Sequence, residues 1–206
     1  MTELMIDVYS DIICPWCYIG KKRLEEALAQ RPGLSASIRW RAFLLNPSMP
    51  RGGMDRQHYL KQKFGEASNA VYDRIAMAGK DAGIDFAFND IALTPETSAV
   101  HTLLIASGKH SFSLSERFFQ AYFLEGRDIS DAEVQKDLIQ QEGCENSYTK
   151  DALQNAATQI NEDIQFGGNV GIDGVPFFVF NNEFSLAGAH PAPVILSAID
   201  AAMAGK

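Results

Sequence analysis

Two cysteines separated by two residues are the side chains of this chain with the clearest capacity for chemistry. Cys14 and Cys17 form a Cys-Pro-Trp-Cys motif between residues 4–9, an apolar segment typical of a buried strand, and a predicted helix over residues 15–30. Thiols at positions i and i+3 of a first helical turn lie close enough to form a disulfide. Free amide groups and the helix dipole at this end favour a thiolate on the first cysteine, and Pro15 suits the first helical position. The motif therefore predicts a reversible disulfide, with Cys14 as the nucleophile and Cys17 as the resolving thiol.

A zinc site and a structural pair of buried thiols are the two alternatives to a redox pair. Zinc needs further ligands, usually a second close pair. The remaining cysteine, Cys144, has no partner within a short motif, and we expect it to be a solitary, redox-silent thiol. No paired ligand spacing connects the four histidines, His58, His101, His110 and His190. The redox interpretation is favoured, and no metal ligand is predicted.

The elements that must position this pair follow an α/β order. A strand, a helix and a strand come first, a helical block follows, and a β-hairpin and a last helix close the chain. The hairpin turns at Asn181-Asn182, a two-residue turn signal. The predicted ranges after the first helix are a strand at 37–45, a helix at 148–166 that stops at Gly167-Gly168, hairpin strands at 177–180 and 183–187, and a helix after Pro191. The predicted N-terminal helix caps within the block are Asp55, for a helix that ends near Gly65, Thr94 before Pro95, Ser113 with Glu116, and Ser130 with Glu133.

Composition limits the classes of partner. The 206 residues suffice for one domain carrying a large insertion, and the net charge is −8. The one short basic run, residues 21–23, is interpreted as a solvated helix face, so neither nucleic acid nor an anionic membrane is an expected partner. No segment is apolar for long enough to cross a bilayer, and the acidic residues Glu3, Asp7 and Asp11 argue against a secretory signal. A cytoplasmic, reducing compartment is therefore expected.

Three segments at this spacing resemble the DsbA-type branch of the thioredoxin superfamily, and its FrnE-like cytosolic members in particular. They are SDIICPWCYIGKKRLEEAL, WRAFLLNP and GIDGVPFFVFNNEFSLAGAH, and LTPETSAVHTLLIAS and FFQAYFLEGRDIS are similar to that family's helical insertion. The resemblance implies a thioredoxin-like domain formed by residues 1–46 and 167–206, interrupted by a helical insertion at 47–166. It also implies dithiol–disulfide exchange through a mixed disulfide, without any cofactor beyond the redox pair and with glutathione as a candidate reductant. The implied partners are protein or small-molecule thiols and disulfides.

The same resemblance implies a substrate-binding role for the residues around the pair, Pro15 and Trp16, and for Val175-Pro176, which corresponds to a cis-proline turn facing the cysteines. From the residues alone, an ordinary trans proline opening an edge strand is favoured instead. Asn46 is a secondary candidate, because an Asn-Pro at this place helps to line the thiol site of related glutathione-using enzymes.

Two further features are interpreted as packing. His101 lies among apolar residues of a predicted helix, and a hydrogen-bonded inner-face histidine is favoured over a proton shuttle. An aromatic group with helical spacing is expected in the core, or at a substrate surface if it is exposed: Phe118, Phe119, Tyr122 and Phe123.

Two other functions stay open at this point. One is a glutathione-dependent transferase or isomerase of the kappa or 2-hydroxychromene-2-carboxylate isomerase type, although such enzymes typically carry serine where Cys14 stands. The other is a binding module that holds unfolded chains and in which the cysteines are incidental. For a redox enzyme, Trp16 replaces the histidine of the strongly oxidising DsbA, and Asp11 opposes a thiolate on Cys14. We therefore expect a potential between those of thioredoxin and DsbA, about −270 to −120 mV.

Overall fold

The computed structural model describes residues 3–204. A mixed sheet packs against the first and last helices, and several of the remaining helices form a second core. In chain order the elements are β1 (Leu4–Ser10), α1 (Pro15–Ala29), β2 (Ala36–Ala42), β3 (Met54–Asp55), α2 (Arg56–Phe64), α3 (Ser68–Asp81), β4 (Leu93–Thr94), α4 (Ser98–Ala106), α5 (Ser111–Phe123), α6 (Ala132–Glu142), α7 (Lys150–Val170), β5 (Phe177–Phe180), β6 (Phe184–Ala187) and α8 (Ala192–Ala204). The first and last two residues of the predicted thioredoxin-like domain lie outside the described residues.

The four-stranded sheet has the order β2-β1-β5-β6. β1 pairs with β2 in parallel, and with β5 in antiparallel fashion, and β5 continues into β6. Because side chains alternate along a strand, Leu4, Ile6 and Val8 of β1 join a core with α1 and α8, whereas Tyr9 stacks on Phe166 of α7. The predicted α/β fold is confirmed, and α1, the helix that carries the two cysteines, directly follows the inner strand β1.

A second core fills the helical part. The predicted aromatic group is fully buried there, which confirms the packing interpretation: Phe118, Phe119, Tyr122 and Phe123. Tyr18 of α1 stacks on Phe119, with ring centroids 4.9 Å apart, and Tyr18 also donates a hydrogen bond to Glu116 at 2.9 Å. The helix that carries the cysteines is therefore wedged between the sheet core and the helical core.

The hairpin prediction is confirmed, but its connection has three residues, 181–183, because Phe180 pairs with Phe184. Two predicted element ends are also wrong. Asn181 and Asn182 both adopt positive φ, 53° and 58°, as a tight hairpin turn requires. The strand predicted to reach residue 45 ends at Ala42. Helix α7 continues through the Gly167-Gly168 pair and ends at Gly171, which takes the left-handed conformation. Glycine inside a helix costs only about 1 kcal/mol, so a pair of glycines does not by itself end the helix.

Three of the four predicted N-terminal helix caps are also wrong, whereas Asp55 caps α2 as predicted and accepts a hydrogen bond from the His58 amide at 2.9 Å. Thr94 lies in β4 and pairs with Met54, and α4 starts four residues later at Ser98. Ser113 lies inside α5. The cap of α6 is Asp131 instead of Ser130, and its carboxylate accepts hydrogen bonds from the second and third amides of the helix. A carboxylate one residue closer to the helix replaces the predicted hydroxyl.

The basic run is not a solvated face. The side chain of Lys21 is only 3% exposed, forms ion pairs with Glu25 and Glu116 and lies over the ring of Phe112. Lys22 also pairs with Glu116, at 2.6 Å. These ion pairs connect α1 to α5. Within residues 3–204 no helix combines the length and the apolar character that a membrane crossing needs.

Candidate active site

The two cysteines lie at the start of α1, as the motif predicts. Cys14 is the N-terminal cap of the helix and has extended backbone angles, and Pro15 occupies the first helical position. The turn that leads into the helix is closed by a hydrogen bond from the Cys14 amide to the Asp11 carbonyl, 3.0 Å, and the Cys17 amide donates to the Cys14 carbonyl, 3.0 Å. Both thiols are free and almost fully buried.

The surroundings of the two sulfur atoms differ in a way that separates their roles. The pKa of Cys14 is lowered because the Cys17 thiol donates a hydrogen bond to it, with help from the Cys17 and Trp16 amides, although burial and the Asp11 charge oppose this. The pKa of Cys17 is raised well above that of an ordinary thiol, chiefly by burial and also by the Cys14 sulfur. Cys14 is therefore the thiol that ionises first, and the ionised form is the nucleophile.

The Val175-Pro176 turn faces Cys14. Its peptide bond is cis, which is the geometry that the family resemblance implies. Cys14 Sγ lies 3.7 Å from the Val175 carbonyl oxygen. On α1, Gly20 permits the close approach of this turn, because a Cβ at that position would lie 2.6 Å from Pro176 Cγ. A side chain is excluded at Gly20 by the same contact that brings the turn to the cysteines.

A mostly apolar pocket of about 220 Å³ opens beside Cys14. Trp16 is 38% exposed at its wall. The predicted residues Pro15 and Val175 also line it, whereas most of its other walls come from α2 and α3, where the sequence analysis placed no functional residue. The additional lining residues are Ile13, Leu45, Tyr59, Lys63, Phe64, Val71, Tyr72, Ile75 and Gly174.

Asn46 lines a second pocket, of about 270 Å³, that shares Leu45, Tyr59 and Lys63 with the first. Its Nδ2 atom is buried without a hydrogen-bond partner among the described residues. Lys63 Nζ donates to the Tyr59 hydroxyl at 2.9 Å. The structure thus places Asn46 next to the Cys14 pocket but not in its wall.

A buried cation lies behind the aromatic wall of the Cys14 pocket. Arg56 of α2 is almost fully buried, and its guanidinium donates to the Tyr72 hydroxyl, 2.7 Å, and to Thr94 Oγ1, 3.2 Å. Burial raises the pKa of Tyr72, Arg56 opposes this, and the charge of Cys14 adds to the increase. The Tyr72 hydroxyl is therefore within electrostatic reach of the Cys14 thiolate.

The remaining candidates lie elsewhere. Cys144 is buried in the helical core, where burial raises its pKa and its sulfur contacts the Ile139 carbonyl and the Tyr148 hydroxyl, both at 3.7 Å. His101 is fully buried and accepts a hydrogen bond from Trp40, in agreement with the packing interpretation. Across the part of the chain that is described, no three His, Cys, Asp or Glu side chains cluster as metal ligands would.

A cysteine pair at the start of the helix that follows the central strand of a mixed sheet, with a long helical insertion, defines a thioredoxin-type fold of the DsbA kind. Residues 5–200 match the model of the DSBA-like thioredoxin domain family, and the chain belongs to that family. A probable DsbA oxidoreductase from Streptomyces coelicolor is 27% identical, and its crystal structure matches with a TM-score of 0.84 over 99% of this chain and 92% of that chain.

Two more distant structures share the fold. The cytosolic disulfide reductase DsbM from Pseudomonas aeruginosa, solved with GSH, is 18% identical and has a TM-score of 0.65 over 98% of this chain and 96% of that one. A 2-hydroxychromene-2-carboxylate isomerase is 17% identical and has a TM-score of 0.60 over 98% and 95% of the two chains. Proteins named as a disulfide reductase and as a 2-hydroxychromene-2-carboxylate isomerase therefore share this fold.

Proposed function

We propose that this protein is a thiol–disulfide oxidoreductase that works through Cys14 and Cys17. The observation that carries the proposal is the placement of the pair: Cys14 caps the start of α1, lies 3.7 Å from the Val175 carbonyl and lines the apolar pocket, whereas Cys17 is buried and does not line it. The lowered pKa of Cys14 and the raised pKa of Cys17 agree with this placement. An inert pair of buried thiols has no need for one sulfur to be selectively ionised. A glutathione-activating enzyme needs no second thiol at this position, so the retained Cys17 favours disulfide exchange.

In the reductive direction, the Cys14 thiolate attacks one sulfur of a substrate disulfide. A mixed disulfide forms, the substrate S–S bond breaks, and the first substrate sulfur leaves as a thiolate. Cys17 then attacks Cys14 Sγ as its proton passes to the leaving sulfur, and the second substrate thiol is released. The pair loses two electrons to the substrate and becomes a disulfide, and every step is reversible.

Substrate contacts come from both sides of Cys14. The Val175 carbonyl offers a backbone acceptor to an extended peptide, and the exposed Trp16 forms an apolar pocket wall together with the buried Pro15. These groups suit a protein thiol or disulfide with an apolar residue beside the reacting cysteine.

We also propose glutathione as the reductant that recycles the pair. The unpartnered Asn46 amide and the Lys63 ammonium group lie in the adjoining pocket and can bind carbonyl and carboxylate groups of a small thiol. A reducing compartment such as the cytoplasm fits this role.

Insulin reduction with glutathione as the electron source tests the proposal. Wild type should reduce insulin, Cys14→Ser should be inactive, and Cys17→Ser should accumulate mixed disulfides. Conjugation of glutathione to an aromatic electrophile should be slow in the same preparation. Faster conjugation than insulin reduction would favour the transferase alternative. Full suppression of aggregation by the Cys14→Ser/Cys17→Ser variant, without reductase activity in wild type, would favour the binding module.

A further inference from the structure

A chain of three buried side chains connects the helical insertion to the turn that precedes Cys14. Trp40 of β2 donates its indole N–H to His101 Nδ1, with a distance of 3.0 Å. On the other side of the ring, His101 Nε2 lies 3.5 Å from Asp11 Oδ1. This is a close polar contact without hydrogen-bond geometry, and the nitrogen has no hydrogen-bond partner among the described residues. Asp11 and His101 are both completely buried.

The Trp40 contact decides which nitrogen of His101 carries the proton. An indole N–H can only donate, so Nδ1 must keep its lone pair. A proton on Nδ1 would point two N–H groups at each other. His101 is therefore held as the neutral tautomer with its proton on Nε2, the nitrogen that lies 3.5 Å from Asp11 Oδ1.

Asp11 lies close to the redox pair and is fixed by backbone donors. Its Oδ2 accepts from the Leu45 amide, 2.8 Å, and its Oδ1 from the Ile13 amide, 3.4 Å. Its carbonyl oxygen accepts from the Cys14 amide. Both hydrogen-bond partners of the Asp11 side chain are N–H donors, and an environment of donors suits the ionised carboxylate, which can only accept. The charge of Asp11 acts against a thiolate on Cys14 and raises the pKa of that thiol.

We propose that Trp40 and His101 are positioning residues that hold Asp11 as a fixed negative charge, and that this charge makes the Cys14–Cys17 pair a weaker oxidant. The inference rests on the proposed function and deepens it. A less stable Cys14 thiolate destabilises the reduced form, so the disulfide is relatively favoured and the potential is more negative. The arrangement thereby tunes the pair toward reduction of substrates.

The test compares isosteric variants in two measurements that do not depend on turnover: the Cys14 pKa from thiolate absorbance, and the equilibrium constant with glutathione. Asp11→Asn should lower the Cys14 pKa by about 1 and make oxidation of the pair about tenfold less favourable, which is about 30 mV for a two-electron couple. Asp7→Asn is the matched control, because Asp7 is a buried carboxylate on β1, four residues before Asp11, and Arg39 and Arg41 already neutralise it. It should change neither value.

His101→Leu should shift both measurements in the direction of Asp11→Asn, and His101→Gln, which retains an N–H donor, should restore them to within about twofold of wild type. In the double variant, His101→Leu should add nothing to Asp11→Asn. The inference is overturned if Asp11→Asn behaves as the Asp7→Asn control, or if the effect of His101→Leu is the same with and without Asp11.

Nitrogen NMR of the wild-type protein gives an answer that does not require any variant to fold. His101 should show its proton on Nε2, and a proton on Nδ1 would contradict the proposal. Failure of insulin reduction by wild type would instead contradict the proposed function, since the pKa, the potential and the tautomer remain measurable in an inactive protein.

Discussion

The contact between Gly20 and Pro176 gives the most direct test of how the redox site is assembled. In Gly20→Ala, the new Cβ would lie 2.6 Å from Pro176 Cγ and 3.3 Å from Phe178 Cζ. A proline ring cannot rotate away, so the turn that carries Val175 must move away from α1. Overpacking of this kind costs about 1–3 kcal/mol, whereas alanine in a helix interior gains about 1 kcal/mol over glycine.

Gly168→Ala is the matched control, since Gly168 also lies within a helix and a Cβ there meets nothing within 4 Å. The control should be stabilised by up to about 1 kcal/mol. Gly20→Ala should be destabilised by up to about 2 kcal/mol despite the same gain, and its melting temperature should fall by about 2–4 °C per kcal/mol. Urea unfolding of the reduced protein measures both. Insulin reduction by folded Gly20→Ala should also decrease, because the Val175 carbonyl moves away from Cys14. If Gly20→Ala is as stable as Gly168→Ala and equally active, the close approach of the turn is refuted.

Three further outcomes are expected. Cys17→Ala removes the hydrogen bond that lowers the pKa of Cys14. The alkylation rate of Cys14 increases with pH as the thiolate forms, and the midpoint of this increase should shift upward, toward the ordinary thiol value of about 8.5. An unchanged midpoint would contradict the assigned cause. Lys63→Gln should raise the KM for glutathione about twofold to fivefold by removing an exposed cation, while the KM for insulin changes less. Equal effects on both would argue against the proposed reductant subsite. Lys21→Met should lower the free energy of unfolding by about 1–3 kcal/mol, because Glu116 retains Lys22 but loses its buried partner. Lys22 is more exposed, so Lys22→Met should lower it less. The reverse order would show that Lys21 does not form the main ion pair between α1 and α5.

The parts of the structure that the sequence predicts are those encoded locally. The Cys-Pro-Trp-Cys motif after an apolar strand, and the Asn181-Asn182 turn between alternating strands, carry their geometry in a few adjacent residues. Burial of Lys21 could not be predicted in this way, because its partner Glu116 is on a helix far along the chain. The extension of α7 beyond Gly168 depends in the same way on packing and on the cap at Gly171.

The pocket wall illustrates the same limit at the functional site. Tyr59, Lys63 and Tyr72 belong to no recognisable sequence motif. Their spacing along α2 and α3 does not differ from that of residues in ordinary helix packing. They become functional candidates only when the fold brings them to Cys14. His101 is an intermediate case: the sequence indicates a buried histidine, but only the structure shows that Trp40 fixes its tautomer and that Asp11 lies beyond it.

Helix α1 lies between two cores, and different parts of the structure therefore determine the reactivity of Cys14 and the choice of substrate. The ionisation of Cys14 is governed by groups within a few residues of it, namely the Cys17 thiol, the helix amides and Asp11. The walls of the pocket come largely from α2 and α3, which pack in the helical core instead of the sheet. Substitutions at Tyr59 or Phe64 can therefore change which thiols are accepted with little effect on the potential. Asp11→Asn should instead change the potential of the pair, and with it the exchange equilibrium for every substrate. Assays of both kinds of variant with disulfide substrates of different size would show whether substrate selectivity and reduction potential change independently.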